Sequence, residues 1–288
     1  MKVLGLNGSW RKYGNSEILL KQALMGAEAE GAEVEILKLT DYELGPCRGC
    51  GLCLFKKGVC QVKDNTDEIF AKIDECDGLI LGAPCYFLEL TAIVKQLIDR
   101  CWIMGHNKVG KPVKPASVIV PYATRGWIPY VFVQANILFN IMSMVKINQA
   151  AICTQGISEV VLDDGAMDLA YRMGQEIAVS IREKDFTYRG EEGVCPGCHD
   201  KLLRVLNDRE TIECPTCGVR GKLDVVDGKI SVTFEEKAWE ESRFNLDVSY
   251  NHYTYHIAPS KDYFVRTKEE RREKSQKYRD YLKKESAQ

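Results

Sequence analysis

What this sequence lacks narrows its function before anything it contains. Net charge is close to absent: 39 basic and 41 acidic residues leave a formal −2, so no global excess favours nucleic acid or an anionic membrane surface. No apolar run approaches the roughly 20 residues that a bilayer-spanning helix needs. The opening segment, MKVLGLNGSW, has one basic residue and passes directly into a strand-and-turn pattern. It shows neither the long apolar core nor the small-residue cleavage site of a signal peptide, so a cytoplasmic address is expected, with no membrane and no nucleic-acid partner. Internal repeats are absent apart from one pair of cysteine knuckles. With 45% apolar and 28% charged residues, the 288-residue chain is sized for one large globular domain and a smaller one.

What the chain does have is clustered cysteine. Eight of its twelve cysteines fall into two groups, and in a reducing cytoplasm such groups read as metal ligands. Cys47, Cys50, Cys53 and Cys60 occupy fourteen residues as C-x2-C-x2-C-x6-C. Four thiolates this close pair as disulfides only with strain, yet they can wrap one compact metal centre. Three cysteines at successive two-residue gaps with a fourth nearby suit a cubane iron–sulfur cluster, with a structural zinc as the alternative. Gly49, Gly51 and Gly58 let that loop fold tightly enough for its amides to reach the sulfurs.

The second group, Cys195, Cys198, Cys214 and Cys217, is spaced C-x2-C-x15-C-x2-C. Two tight turns at that spacing approach from opposite sides and close a tetrahedron of sulfur. The signal is strong for a metal and weaker for its identity. Zinc would be structural, whereas a single rubredoxin-type iron would add a one-electron carrier. His199 stands beside Cys198 as a conceivable substitute ligand, though four cysteines already complete the site. No basic recognition helix follows the second knuckle, which speaks against a nucleic-acid finger. The scattered Cys76, Cys85, Cys101 and Cys153 read as buried structural thiols, with Cys85 set apart by its place in a candidate cofactor loop.

Strand and helix signals alternate over the first 180 or so residues, as in a doubly wound five-stranded parallel sheet covered on both faces. Strands are expected at Lys2–Leu6, Glu33–Leu39, Gly78–Ala83, Ala116–Pro121 and Ile147–Thr154. Helices are expected at Ser16–Gly31, Thr66–Asp74, Thr91–Met104, Tyr130–Met144 and Asp163–Arg182. The division expected is an α/β domain over 1–184 with the cysteine loop at 45–62, a metal-stapled β module over 185–235, and a C-terminal extension over 236–288. That extension begins rich in tyrosine and phenylalanine without clear periodicity and ends strongly charged, as a solvated helix or frayed terminus. Within it, Tyr250, Tyr253, Tyr255 and His256 read first as core packing, with a cap over a cofactor as the sharper alternative.

Three loops at strand ends carry the candidate cofactor site. Gly8-Ser9-Trp10-Arg11-Lys12-Tyr13-Gly14-Asn15-Ser16 joins the first strand to the first helix and is neither a Walker-type loop nor a G-x-G-x-x-G turn. Its small residues let backbone N–H groups converge at a helix N-terminus, Ser9, Asn15 and Ser16 can donate hydrogen bonds, and Arg11 can place a charge on a phosphate. Gly82-Ala83-Pro84-Cys85-Tyr86-Phe87 and Pro121-Tyr122-Ala123-Thr124-Arg125-Gly126-Trp127 follow later strands, where open α/β sheets bind ligands. Tyr86 and Phe87 can offer flat faces to an isoalloxazine, or simply fill the layer between helix and sheet.

Taken together, the GSxRxxGNS loop and the GAPxYF…K…IDR stretch resemble the NAD(P)H-dependent FMN reductase superfamily, of flavodoxin-like fold. With the four-cysteine insertion after the second strand, the chain looks like an iron–sulfur flavoprotein of the kind found in anaerobic archaea and bacteria; the resemblance covers residues 1–182. It implies FMN held by Ser9, Arg11, Asn15 and Ser16, with Pro84, Cys85, Tyr86, Phe87 and the segment Ala123, Thr124, Arg125 and Gly126 around the ring. It implies a [4Fe–4S] cluster on Cys47, Cys50, Cys53 and Cys60, and a homodimer or homotetramer that brings flavin and cluster together. In many relatives a small apolar residue stands at the position of Cys85. The implied activity is an FMN-dependent oxidoreductase taking electrons from ferredoxin or NAD(P)H and joining two-electron flavin chemistry to one-electron carriers. The alternatives are an NAD(P)H-dependent FMN or quinone reductase with structural metal sites, and a non-enzymatic scaffold that binds a partner protein. No catalytic acid or base is assigned.

Overall fold

Alternation within the strands explains the architecture. In the computed structural model, which describes residues 1–55, 60–103, 112–189 and 195–281, Gly58 and Met104 lie outside the described residues. The first part runs β1 (Lys2–Asn7), α1 (Asn15–Ala29), β2 (Glu33–Lys38), a short α2 (Leu52–Phe55), α3 (Thr66–Glu75), β3 (Gly78–Gly82), β4 (Cys85–Tyr86), β5 (Glu89–Leu90), α4 (Ala92–Arg100), β6 (Lys114–Tyr122), α5 (Val131–Ile141), β7 (Met144–Cys153) and α6 (Asp164–Glu183). Five strands pair in parallel in the order β2-β1-β3-β6-β7. Val3, Ile80 and Ile119 face α1 and α6, while Leu4, Leu6, Leu79, Leu81, Val118 and Val120 face the layer of α3, α4 and α5. A sheet buried on both faces demands such near-continuous apolar strands. The order reverses beside β1, and this crevice is where open α/β sheets bind ligands.

Two glycines set the spacing of the helical layer. A Cβ on Gly174 of α6 would lie 1.7 Å from the Ala23 carbonyl oxygen of α1, and one on Gly26 would lie 2.0 Å from the Tyr171 oxygen. No side chain fits either position, so α1 and α6 meet backbone to backbone.

Two expected boundaries move. The helix expected to run to Met144 stops at Ile141; Ser143 turns left-handed at φ 58°, and β7 begins at Met144 rather than Ile147. The run from Ile137 to Ile147 contains no glycine or proline, so apolar periodicity had nothing with which to mark that break. The helix expected over Thr91–Met104 is α4 followed by a 3₁₀ turn, Cys101–Ile103.

The second part is a four-stranded antiparallel sheet, β8 (Arg204–Val205), β9 (Thr211–Glu213), β10 (Arg220–Val226) and β11 (Lys229–Thr233), in the order β11-β10-β9-β8. Its core contains the four knuckle cysteines, Val219 and Ala238, with Leu203, Phe234 and Phe244 against them. So few apolar groups cannot hold a fold without a staple.

The C-terminal arm corrects the expectation of core packing. α7 (Leu246–His252), a π-turn (Tyr253–Ile257), α8 (Ala258–Arg266) and α9 (Lys268–Asp280) follow one another, and α8 and α9 contain no buried residue. Tyr250 and Tyr255 are exposed, the latter by 71%. The π-turn shifts the helical phase, so the tyrosines show no single 3.6-residue stripe. Tyr253 is the tether: its hydroxyl donates to the Leu54 carbonyl of α2 at 3.1 Å.

Candidate functional site

The cleft at the sheet's C-terminal edge is built from four loops. Ser9, Arg11, Gly14, Asn15 and Ser16 line it together with Pro84, Cys85, Tyr86, Pro121, Tyr122, Ala123, Thr154 and Gln155. The loop after β1 folds on itself: the Ser9 amide donates to Asn7 Oδ1 at 2.8 Å, and the Arg11 amide to Ser9 Oγ at 3.3 Å. Gly14 caps the 15-residue α1 with no side chain bonded across the helix end. A Cβ on Gly14 would press to 2.9 Å from Arg11 Cβ and fill the cradle. Free amides at a helix N-terminus, with Arg11 beside them, suit the phosphate end of FMN. Glu17 anchors the loop from behind: it accepts from the Tyr13 amide at 2.9 Å and pairs with Lys21 at 2.6 Å. Burial pushes its carboxyl up, but Lys21 and the Tyr13 amide outweigh that and hold it below its usual range.

Asn15 lines the cleft, yet its amide is engaged elsewhere. It donates to the Gly156 carbonyl at 2.8 Å and to Thr154 Oγ1 at 3.3 Å, and accepts from the Val160 amide at 3.2 Å. It thereby fixes the loop after β7, whose Thr154 and Gln155 form a wall that the sequence reading did not include. The signal was available, since a fifth strand must also end at this edge. Tyr122, at the end of β6, also lines the cleft.

The Pro84–Tyr86 side of the cleft is framed by a strained hairpin. β4 and β5 are joined through Phe87 and Leu88, both left-handed at φ 49° and 74°. Such a turn normally uses Asn-Gly, and bulky residues there are held only by surrounding contacts. Those contacts are the Tyr130 amide donating to the Leu88 carbonyl at 3.2 Å, and the Leu90 amide donating to Gln134 Oε1 at 2.6 Å. Phe87 is left 95% exposed at the turn tip, beside the cleft lining rather than within it. Thr124, Arg125 and Gly126 likewise stand off the lining. Cys85 does line the cleft; its thiol, pushed up by burial, donates to the Trp127 carbonyl at 3.2 Å and ties the loops after β3 and β6 together.

The cysteine loop is anchored by a buried ion pair. Cys47 and Cys50 are exposed, and Cys53 and Cys60 are half-buried against the main core. The Cys53 thiol is pushed up first by burial and then by the charges of Cys60, Cys47 and Cys50. Gly49 and Gly51, at φ 62° and 68°, bend the chain between them. At the base, Arg100 from the end of α4 is 2% exposed and pairs with Asp64 at 2.7 Å. Burial alone would push the Asp64 carboxyl up, but Arg100, Thr66 and the Gly45 and Thr66 amides hold it at about 2.

In the antiparallel unit, Cys195, Cys198, Cys214 and Cys217 are all buried, with their sulfurs within 4.8 Å of one another. Cys195 and Cys217 sulfurs are 3.3 Å apart and those of Cys198 and Cys214 3.5 Å apart. A metal with bonds to sulfur of about 2.3 Å would space tetrahedral thiolates by about 3.8 Å, so the cage fits. Both knuckles turn left-handed just after the second cysteine, at Gly218 (φ 80°) and at His199 (φ 56°). His199 is a poor residue for that turn and is pinned there. Its ring stacks on Tyr188 at 4.3 Å, and its carbonyl accepts from the buried Lys146 of β7 at 2.9 Å. Its role is thus to seat the unit on the edge strand, with the four sulfurs completing the cage without it. A groove of about 780 Å³ between α8 and α9 shares no residue with any of these sites.

Comparison with known proteins places this geometry in context. The NADPH-dependent FMN reductase family matches residues 1–156. An iron–sulfur flavoprotein of Methanocaldococcus jannaschii is 38% identical over 152 residues, which is 51% of this chain and 76% of that protein. A flavone synthase of Aspergillus candidus is 27% identical over 261 residues, 79% of each chain. The solved structure of a flavone reductase has a TM-score of 0.82 over 100% of both chains at 22% identity, a likeness of fold that extends through the antiparallel unit and the arm.

Proposed function

Because the chain belongs to the NADPH-dependent FMN reductase family and, within it, to the iron–sulfur flavoproteins, we propose that this FMN oxidoreductase joins two-electron chemistry at the cleft to one-electron transfer through a [4Fe–4S] cluster. When bound, FMN supplies hydride exchange and stepwise electron release, and a cubane cluster supplies single electrons only. Ser9, Ser16, Arg11 and the α1 amides hold the phosphate, Asn15 and Thr154 shape the wall, and Tyr86 and Cys85 stand on the ring side. Cys47, Cys50, Cys53 and Cys60 hold the cluster, and the knuckle cage holds a structural zinc. The electron donor is ferredoxin or NAD(P)H, and the working unit is a homodimer or homotetramer in the cytoplasm. Among the described residues no helix is long and apolar enough to cross a membrane.

The observation that carries this reading is the C-x2-C-x2-C-x6-C loop itself, seated on the main core with Cys53 and Cys60 half-buried and Cys60 3.2 Å from the buried Arg100. The test is iron, acid-labile sulfide, zinc and FMN per chain on protein purified without oxygen. About four iron with matching sulfide, one zinc and one FMN supports it. Iron in excess of sulfide with no zinc makes the cage a single-iron relay. Zinc in both sites without sulfide overturns the cluster and leaves a flavin reductase. For the cleft, Arg11→Ala should weaken FMN binding by about 1.5–3 kcal/mol, roughly ten- to hundredfold.

A narrower second reading rests on length. The flavone synthase matches 79% of this chain, more than the flavin domain alone can supply, so the match enters the antiparallel unit. The substrate is then a planar oxygen heterocycle with a carbon–carbon bond that gains or loses two hydrogens. Anaerobic assay with a flavone and reduced protein tests it; no change in the substrate's spectrum would leave electron transfer alone.

A further inference from the structure

The buried ion pair beneath the cysteine loop does more than close it. We infer that Arg100 is a positioning residue for the cluster, fixing Cys60 and setting the cluster's reduction potential through a charged hydrogen bond to its sulfur. The inference rests on the cluster reading above. Its geometry is specific: Arg100 Nη2 lies 3.2 Å from Cys60 Sγ, while Nη1 donates to Asp64 Oδ2 and to the Gly45 carbonyl, each at 2.7 Å. Asp64 closes the other side, accepting from the Gly45 amide at 2.8 Å and the Thr66 amide at 3.1 Å. The guanidinium therefore joins the start of the loop at Gly45 to its end at Cys60 and Asp64. Cys60 Sγ receives a second donor, the Val62 amide at 3.4 Å.

A plain structural role would need only the Arg100–Asp64 pair, yet one arm of the guanidinium is directed at a ligand sulfur. An arginine is charged at every working pH and presents its donors in a rigid fork, so it is a fixed positive pole against that sulfur. Reduction adds an electron, and a cationic N–H on the thiolate favours the more negative state. Hydrogen bonds to cluster sulfurs and local charge are established determinants of potential. Asp64 acts in the opposite sense, because its carboxylate offsets the guanidinium. The two partners of one ion pair are thus predicted to shift the potential in opposite directions.

The test compares wild type, Arg100→Gln, Arg100→Lys and Asp64→Asn. Iron, sulfide and FMN per chain are measured in each, followed by anaerobic redox titration of the cluster's visible absorbance. For Arg100→Gln the reduced-to-oxidised ratio at a fixed potential should fall about tenfold, a midpoint about 59 mV more negative for one electron. Asp64→Asn should move the midpoint upward, and Arg100→Lys should recover part of the loss. Where Arg100→Gln fails to hold a cluster, the opposite signs of Arg100→Lys and Asp64→Asn decide. Unchanged midpoints, or shifts of the same sign on both sides of the pair, overturn the inference while the cluster stands. Wild type without iron and sulfide removes the cluster reading itself, and the inference with it.

Discussion

The two cysteine quartets make the same demand on the chain and meet it differently. In the antiparallel unit all four thiols are buried and already within 4.8 Å of one another. In the loop after β2, two are exposed and two half-buried, and of these Cys60 rests against the Arg100–Asp64 pair. The difference matches what the proposed occupants would require of each site. A single ion must be caged by sulfur on all sides, so the two knuckles close on a point. A cubane is a body in its own right, and a loop need only present corners to it. The knuckle cage is also most of its unit's core, whereas the loop sits on a flavodoxin-like domain that holds itself together through two apolar layers. A metal in the cage would therefore be a folding requirement, and on the function proposed above a cluster in the loop would be a functional one.

The sharpest way to break this contrast is to remove one ligand from each quartet, and the cage should respond most. Cys214→Ser should abolish metal binding there and unfold the unit, because structural metal of this type contributes on the order of 10 kcal/mol of folding energy. Hydrogen exchange should show amide protection lost over residues 195–244 with FMN retained; protection kept without metal would contradict it. Next in size is Asp64→Asn, which leaves Arg100 buried without its carboxylate and should cost about 2–4 kcal/mol in urea unfolding.

Acid probes the same pair more gently. Asp64 is held at about 2, below its ordinary 3.8. Its contribution is therefore whole above about pH 4 and is lost as pH falls through about 2, amounting to about 2 kcal/mol. The stability gap between wild type and Asp64→Asn should close over that window, and a constant gap would assign the pair no such role. The smallest effect on stability should come from Cys50→Ser, within about 1 kcal/mol because the side chain is exposed. It should still erase the cluster's broad visible absorbance with FMN kept, and an unchanged spectrum would remove Cys50 from the ligand set.

Much of this was legible in one dimension. Apolar strands at regular spacing predicted the parallel sheet, and knuckle spacing predicted a sulfur cage, because both depend on local periodicity and ligand count. The Ile137–Ile147 run hid a helix end, since a left-handed Ser143 carries no sequence mark. The tyrosines of the arm gave no stripe because a π-turn breaks their phase. Asn15 looked like a phosphate donor, and only the fold shows its amide taken by the loop after β7. Thr154 and Gln155 stayed unread because they lie some 140 residues from the loop they complete.

By itself the sequence determined the fold class, the family and the membership of the knuckle quartet, since these rest on residue type and short spacing. Only the tertiary structure decided that Arg100, in a helix 40 residues beyond Cys60, reaches back to that sulfur. It alone decided that Lys146 and Tyr188 seat the metal unit on the edge strand through His199. Those contacts join positions far apart along the chain, and nothing in local pattern or composition encodes which distant side chains the packing of helices on a sheet will bring within hydrogen-bond reach.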